Sequence, residues 1–382
     1  MPGVESVGRY RPEFAPPLDP YPATPPGWNG HADPPSWPQP YGRPPGKVRW
    51  TVDAPPGTPY QRLARTPAQR WWRPVLGTAA ILVAGLTALV PVMIVWVLVE
   101  AAIQGVDPGI LFEALGEGGG PLLAGDNSEL AFTLVSLAVF LPFIPLAAWG
   151  LQRRRPGTLS SVAGRIRWRW LGTCAGLAVG ATVVSFALAW AVSPLMDEPA
   201  DEGAWVGWGA FVAPLLIVVL LVPFQATAEE YFFRGWLLQS IASCTLEGRT
   251  GGVARRLAVV FRTPWPAICL TSALFVAGHG YTGWGILDIF CFGVIAAWLA
   301  IRTGGLEASI ALHVINNVVA FLFPAALGLL DLEQGSIALP AVVADVLPLL
   351  LYAALVARLA DRRALQTVTA PAQDPAAAPA TP

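Results

Sequence analysis

Residues 207–240 read GWGAFVAPLLIVVLLVPFQATAEEYFFRGWLLQS. The first half of this stretch is an apolar run of the length that crosses a bilayer, about 20 residues for a hydrocarbon core of ~30 Å. The second half carries two adjacent glutamates, Glu229 and Glu230, and then Arg234, where lipid should forbid charge. An ionisable group inside a membrane is costly, so each of these three is a candidate for function.

Further apolar runs lie near 75–99, 130–151, 171–193, 265–280, 284–301, 306–330 and 338–358. Together they predict an all-α fold, a polytopic membrane helix bundle of about eight transmembrane helices. The run at 265–280 is short and the one at 207–240 is long. As a single straight helix the latter would measure about 50 Å, so tilt, or a kink at Pro214 or Pro223, is expected to absorb the excess. Composition agrees: of 382 residues 54% are hydrophobic and only 13% charged, too few charges to dress a soluble surface. A net charge of -1 supplies no field for nucleic acid, so no nucleic-acid partner is expected. Cys174, Cys244, Cys269 and Cys291 have neither CxxC nor zinc-site spacing and are expected to be buried thiols.

Residues 1–73 differ in kind, with proline pairs at 16–17, 25–26, 34–35 and 55–56. They are expected to form a disordered proline-rich cytoplasmic tail, either solvated or a docking segment for a partner. No short apolar run follows a basic N-terminus there, so no signal peptide is expected. Residues 74–204 would hold the first three spans, 205–360 spans four to eight, and 361–382 a second loose tail.

Loop charges alternate along the chain. Arg62, Arg65, Arg70 and Arg73 precede the first span; Asp107, Glu113, Glu117 and Asp126 follow it. Arg153, Arg154, Arg155, Arg165, Arg167 and Arg169 fill the next loop, and Asp197, Glu198, Asp201 and Glu202 the one after. Arg249, Arg255, Arg256 and Arg262 come next, with Glu247 the lone acid, and Arg358, Arg362 and Arg363 close the last span. The alternation predicts both termini on the cytoplasmic side of a plasma (inner) membrane.

Polar residues recur at helical spacing inside the later spans. Glu230 and Arg234 are i,i+4 and form the natural ion pair, while Glu229 is rotated by 100° and left free for chemistry. Phe275 and His279 are i,i+4, as are His313 and Asn317, so each pair shares a helix face. Counted at 1.5 Å per residue from the inner ends of their spans, Glu229, His279, His313 and Asn317 all fall roughly 12–21 Å deep and could share one layer. Each pair taken alone is equally consistent with interhelical hydrogen bonding or a structural ion pair.

In order, these residues spell EExxxR (229–234), FxxxH (275–279) and HxxxN (313–317). On successive membrane helices they resemble the CPBP family: type II CAAX prenyl proteases and bacteriocin-processing or Abi proteins, the intramembrane glutamic endopeptidases. The resemblance covers roughly residues 205–330. It implies that Glu229 activates a water, that His279 helps hold it, and that His313 and Asn317 form an oxyanion hole. Glu230, Arg234 and Phe275 would support them. It further implies a peptide or membrane-protein substrate met within the lipid, and no cofactor. Peptide hydrolysis needs a base, a positioned water and donors for the developing oxyanion, which this residue set can supply without a covalent nucleophile. Two Glu and two His could instead ligate zinc, although the HExxH pattern is missing. A metal-dependent membrane hydrolase, a non-catalytic scaffold or maturation factor of the same fold, and a proton-relaying transporter are the rival readings.

Overall fold

The computed structural model describes residues 50–117, 125–195, 203–245, 251–332 and 334–371. Contacts divide the chain into Met1–Val48 and Arg49–Pro382, and everything described belongs to the second unit. Twelve helices follow in order: α1 (Trp72–Gln104), α2 (Pro108–Glu117), α3 (Asp126–Ala138), α4 (Phe143–Gly150), α5 (Trp168–Val192), α6 (Trp208–Glu230), α7 (Leu238–Ala242), α8 (Gly252–Phe261), α9 (Trp265–Ala277), α10 (Gly285–Thr303), α11 (Glu307–Leu327) and α12 (Leu339–Arg362). Strand structure among the described residues is confined to the parallel pair Thr282–Gly283 and Ser336–Ile337 and to two isolated bridges.

The chain is a polytopic membrane helix bundle. Among the described residues seven segments are long and apolar enough to cross a membrane, and α8 with α9, bent by 74°, makes up to eight. The segment Asp126–Gly150 crosses as α3 and α4, broken near Pro142, which lacks a backbone donor. Exposed tryptophans mark both ends: Trp71, Trp149, Trp168 and Trp265 at one, Trp190, Trp205, Trp208 and Trp284 at the other. Trp168 and Trp190 lie on α5 about 33 Å apart at the helical rise, matching a hydrocarbon core between two aromatic belts.

α11 is central, packed against α5, α6 and α10, while α10 also packs on α9 and α12. The largest apolar cluster joins Phe275, Phe292, Leu312, Tyr352 and Val356 across α9 to α12. Close approach of α9 and α10 depends on Gly293, where an added Cβ would sit 3.0 Å from the Ser272 Cβ. α1 packs on α2 and α4 at the rim and leaves most of its surface to lipid.

Helix α6 does not stop or kink sharply at its prolines. It continues through a π-helical turn, Tyr231–Leu237, into α7, so that Trp208–Ala242 runs as one 35-residue segment. Its excess length is not taken up by lipid. Arg234, Gly235, Trp236, Leu238, Gln239 and Ser240 are buried in protein, beneath the loop after α4 and the segment before α1.

That covering segment corrects the expected boundary of the N-terminal tail. Residues 50–71, read as loose from proline density, are ordered on the bundle. Tyr60 is fully buried and donates its hydroxyl to the Leu159 carbonyl at 2.5 Å; Leu63 is buried beside it. Asp53 pairs with Arg155, and Gly57 and Thr58 bond to Thr369. The C-terminal tail is shortened in the same way, because residues 361–371 complete α12 and close onto this strap. Two buried apolar anchors outweigh the local preference of proline for extended chain. The rest of both expected tails, residues 1–49 and 372–382, lies outside the described residues. So do Asp197, Glu198, Asp201, Glu202, Glu247 and Arg249.

The described basic loops meet at one end of the bundle. Arg167 holds Glu307 at 2.7 Å and reaches the carbonyls of Thr303 and Gln366, tying the starts of α5 and α11 to the end of α10. Arg302 pairs with Asp361 at 2.5 Å. Arg154 is buried and bonds Gln152, Thr158 and Gln239; burial pulls its guanidinium down to about 10, still charged at neutral pH. The cysteine expectation holds only for Cys174, which is fully buried; Cys244 and Cys269 are exposed, and all four are free thiols.

Candidate active site

Helical phase separates the two glutamates. Glu230 turns into the bundle, fully buried, and its Oε1 accepts from Arg234 Nη1 and His313 Nδ1, each at 2.9 Å. Glu229 points a different way and is partly open. Its Oε1 accepts from Gln225 Nε2 at 2.9 Å, while its Oε2 lies 3.4 Å from His313 Nε2 without a hydrogen bond. His313 therefore stands between the two carboxylates, one nitrogen toward each.

The π turn belongs to this geometry. It begins immediately after Glu230 and carries Arg234 on its inner face. The widened turn still lets Arg234 reach back to Glu230, and it stacks the guanidinium 4.3 Å from the centre of the Phe275 ring. π turns inside α-helices are often found at functional sites.

Phe275 is the hub. It is fully buried on α9, its ring 4.4 Å from that of His279 and 5.9 Å from that of His313. Phe292 of α10 backs His313 at 5.1 Å. His279 lies just beyond α9, after Gly278, rather than inside a helix as the span 265–280 suggested. Its Nδ1 is 2.7 Å from the Phe275 carbonyl. A carbonyl only accepts, so Nδ1 carries the proton and Nε2 of a neutral ring is left as an acceptor.

Asn317, one turn after His313, donates through Nδ2 to Gln225 Oε1 at 3.1 Å. Gln225 thus bridges Asn317 and Glu229 across α6 and α11. Sequence reading passed over Gln225. Its signal was an amide in an otherwise apolar run, four residues before Glu229. The structure brings Glu229, Glu230, Arg234, Phe275, His313, Asn317 and Gln225 into one connected cluster, with the His279 ring tilted against Phe275 at its edge. Among the described residues no group of three His, Cys, Asp or Glu side chains has a metal-holding arrangement.

Behind α11 lies a cavity of about 350 Å³ between α5, α10, α11 and α12, lined by Ser185, Asp288, Asn316 and Asp345. Asp345 accepts from the Ser185 hydroxyl at 3.0 Å. Phe292, which backs His313, and Leu312 also line this cavity.

These features define a membrane helix bundle with a Glu–His–Asn cluster held between α6, α11 and the end of α9. Comparison with known proteins agrees. Residues 209–319 match the family described as Rce1-like, type II CAAX prenyl endopeptidase Rce1-like, and every residue of the three motifs falls inside that match. The expected likeness to type II CAAX prenyl proteases is thus found over this segment. The chain is also 28% identical over 120 residues to "Uncharacterized protein YyaK" of Bacillus subtilis (strain 168), a stretch covering 30% of this chain and 35% of that protein. The chain therefore spans about a third of the length of this curated relative. No solved structure matches.

Proposed function

We propose that this protein is an intramembrane endopeptidase that hydrolyses a peptide bond of a membrane-associated or lipid-anchored protein, with Glu229 as general base. The observation that carries the reading is the division of labour between adjacent carboxylates. Glu230 is fully buried and its Oε1 is held by both Arg234 and His313, whereas Glu229 is partly open, takes Gln225 as its one donor and turns its other oxygen to an imidazole 3.4 Å away. The family match to CAAX-type proteases supports the same class of chemistry.

In this mechanism a water sits between the free oxygen of Glu229 and Nε2 of His279. Glu229 takes its proton as the oxygen attacks the substrate carbonyl. His313 bonds Glu230 through Nδ1, so its Nε2 can donate to the developing oxyanion only when the ring is an imidazolium. Glu229, Glu230, Arg234 and a protonated His313 sum to zero charge, an arrangement suited to a low-dielectric site. The amide of Asn317 has a second N–H beyond the one given to Gln225 and supplies the other donor. Glu229 then returns its proton to the leaving amine. Base, water site and donors all come from side chains, so the reaction as proposed needs no cofactor. Both termini and the basic end face the cytoplasm of a plasma membrane, and the substrate approaches from that side.

The proposal is tested with purified protein in nanodiscs and a panel of fluorogenic peptides, free and lipid-anchored. Asn317→Ala is expected to lower kcat about a hundredfold with KM little changed, the loss of one oxyanion donor. Equal kcat in the variant would remove Asn317 from the mechanism. Failure of wild type to cleave any peptide, with cellular function surviving Glu229→Ala, would favour a scaffold.

A further inference from the structure

We infer that α8 is an interfacial helix that binds the anionic phospholipid head groups of the leaflet at the basic end of the bundle. Three observations converge on it. First, α8 breaks from α9 by 74° and so lies steeply across the axis along which α9 enters the bundle. Second, the break falls at Trp265, which opens α9, is 53% exposed and belongs to the tryptophan belt of that end. α8 is thereby held at the depth where hydrocarbon meets head groups.

Third, its residues divide by face. At 100° per residue, Val253, Leu257, Val260 and Phe261 fall within one stripe of about 100°, Arg255 and Arg262 fall on the opposite side, and Arg256 flanks the edge of the stripe. Val253, Leu257 and Val260 are exposed, at 74%, 45% and 51%, so the bundle does not cover the stripe. Only Ala258 is buried, on the side that meets α9. Val259, exposed among the arginines, is the one apolar exception. Among the described residues no carboxylate pairs with Arg255 or Arg256. The strap before α1 secures the end of the helix next to the break, where Arg62 donates to the Arg262 carbonyl at 2.7 Å.

An apolar stripe at belt depth beneath unpaired arginines fits acyl chains below and phosphates above. A neutral protein surface would leave the arginines unmatched, and a soluble acidic partner would leave the stripe uncovered.

The test is amide hydrogen exchange of residues 252–261 in the full chain. The protein is held in nanodiscs of phosphatidylcholine alone, or with about a third phosphatidylglycerol, which gives an anionic surface. Exchange across α8 is expected to be about thirtyfold slower in the anionic bilayer, at roughly 1 kcal/mol for each of Arg255 and Arg256 near such a surface, and to lose that protection in high salt. The double variant R255Q/R256Q should erase the lipid dependence while α10 and α11 exchange as in wild type, which reports an intact fold. Equal protection in both bilayers, or lipid dependence that survives the double variant, would overturn the inference. No cleavage enters this readout, so the result is independent of the proteolytic reading.

Discussion

Adjacent carboxylates with opposite duties are the chemical core of the account, and substitution should separate them. Glu230→Ala leaves Arg234 and His313 facing an empty buried site. Breaking a buried pair in this way costs about 3–5 kcal/mol, so a markedly lower Tm is expected, with activity lost through the fold. Glu229→Ala removes a partly exposed group whose Oε2 makes no hydrogen bond, and its Tm should stay near wild type. Equal melting of the two variants in one detergent would show that the duties are not divided. Gln225 offers a subtler case, because it touches both Glu229 and Asn317. Gln225→Ala is expected to lower kcat about tenfold, the worth of roughly one buried hydrogen bond. The loss should sit in kcat rather than KM, since Gln225 aims the reacting groups. A change confined to KM would make it a substrate contact instead.

Among the elements, the helix carrying the glutamates shows what sequence could and could not supply. Spacing alone paired Glu230 with Arg234 and freed Glu229, because i,i+4 geometry follows from the helical repeat. The same rule put His313 and Asn317 on one face. The π turn at 231–237 was not legible, since no residue preference separates one widened turn from ordinary helix. Nor was the ordered strap at 50–71. Its prolines dominate the local reading, and the docking of Tyr60 depends on Leu159, which lies far along the chain. The strap is testable through that residue. Tyr60→Ala should destabilise the protein by about 3–5 kcal/mol, the usual cost of deleting a buried aromatic, whereas Tyr60→Phe should lose only about 1 kcal/mol with its hydrogen bond. Thermal unfolding checks both, and identical Tm values would mean that the strap does not bear on the bundle.

For the molecule as a whole, the charge alternation and the tryptophan belts describe one bilayer crossing pattern from independent residues. The exposed thiol of Cys244 lies at the basic end, just after α7. With the other three cysteines replaced, a membrane-impermeant maleimide should label it in inverted vesicles and spare it in right-side-out ones; the opposite pattern would reverse the orientation. The proposed step uses side chains alone. Chelators should leave peptide cleavage unchanged, and a loss restored by added zinc would replace the glutamate-water mechanism with a metal-dependent one.

The most direct test of the central claim compares wild type with Glu229→Gln, a change of charge with little change of shape, in the same bilayer against the same cleaved peptide. Removal of the general base predicts a fall in kcat of roughly a hundred- to ten-thousandfold with the Tm preserved. Cleavage by Glu229→Gln at the wild-type rate would contradict the assignment of the base and, with it, the mechanism.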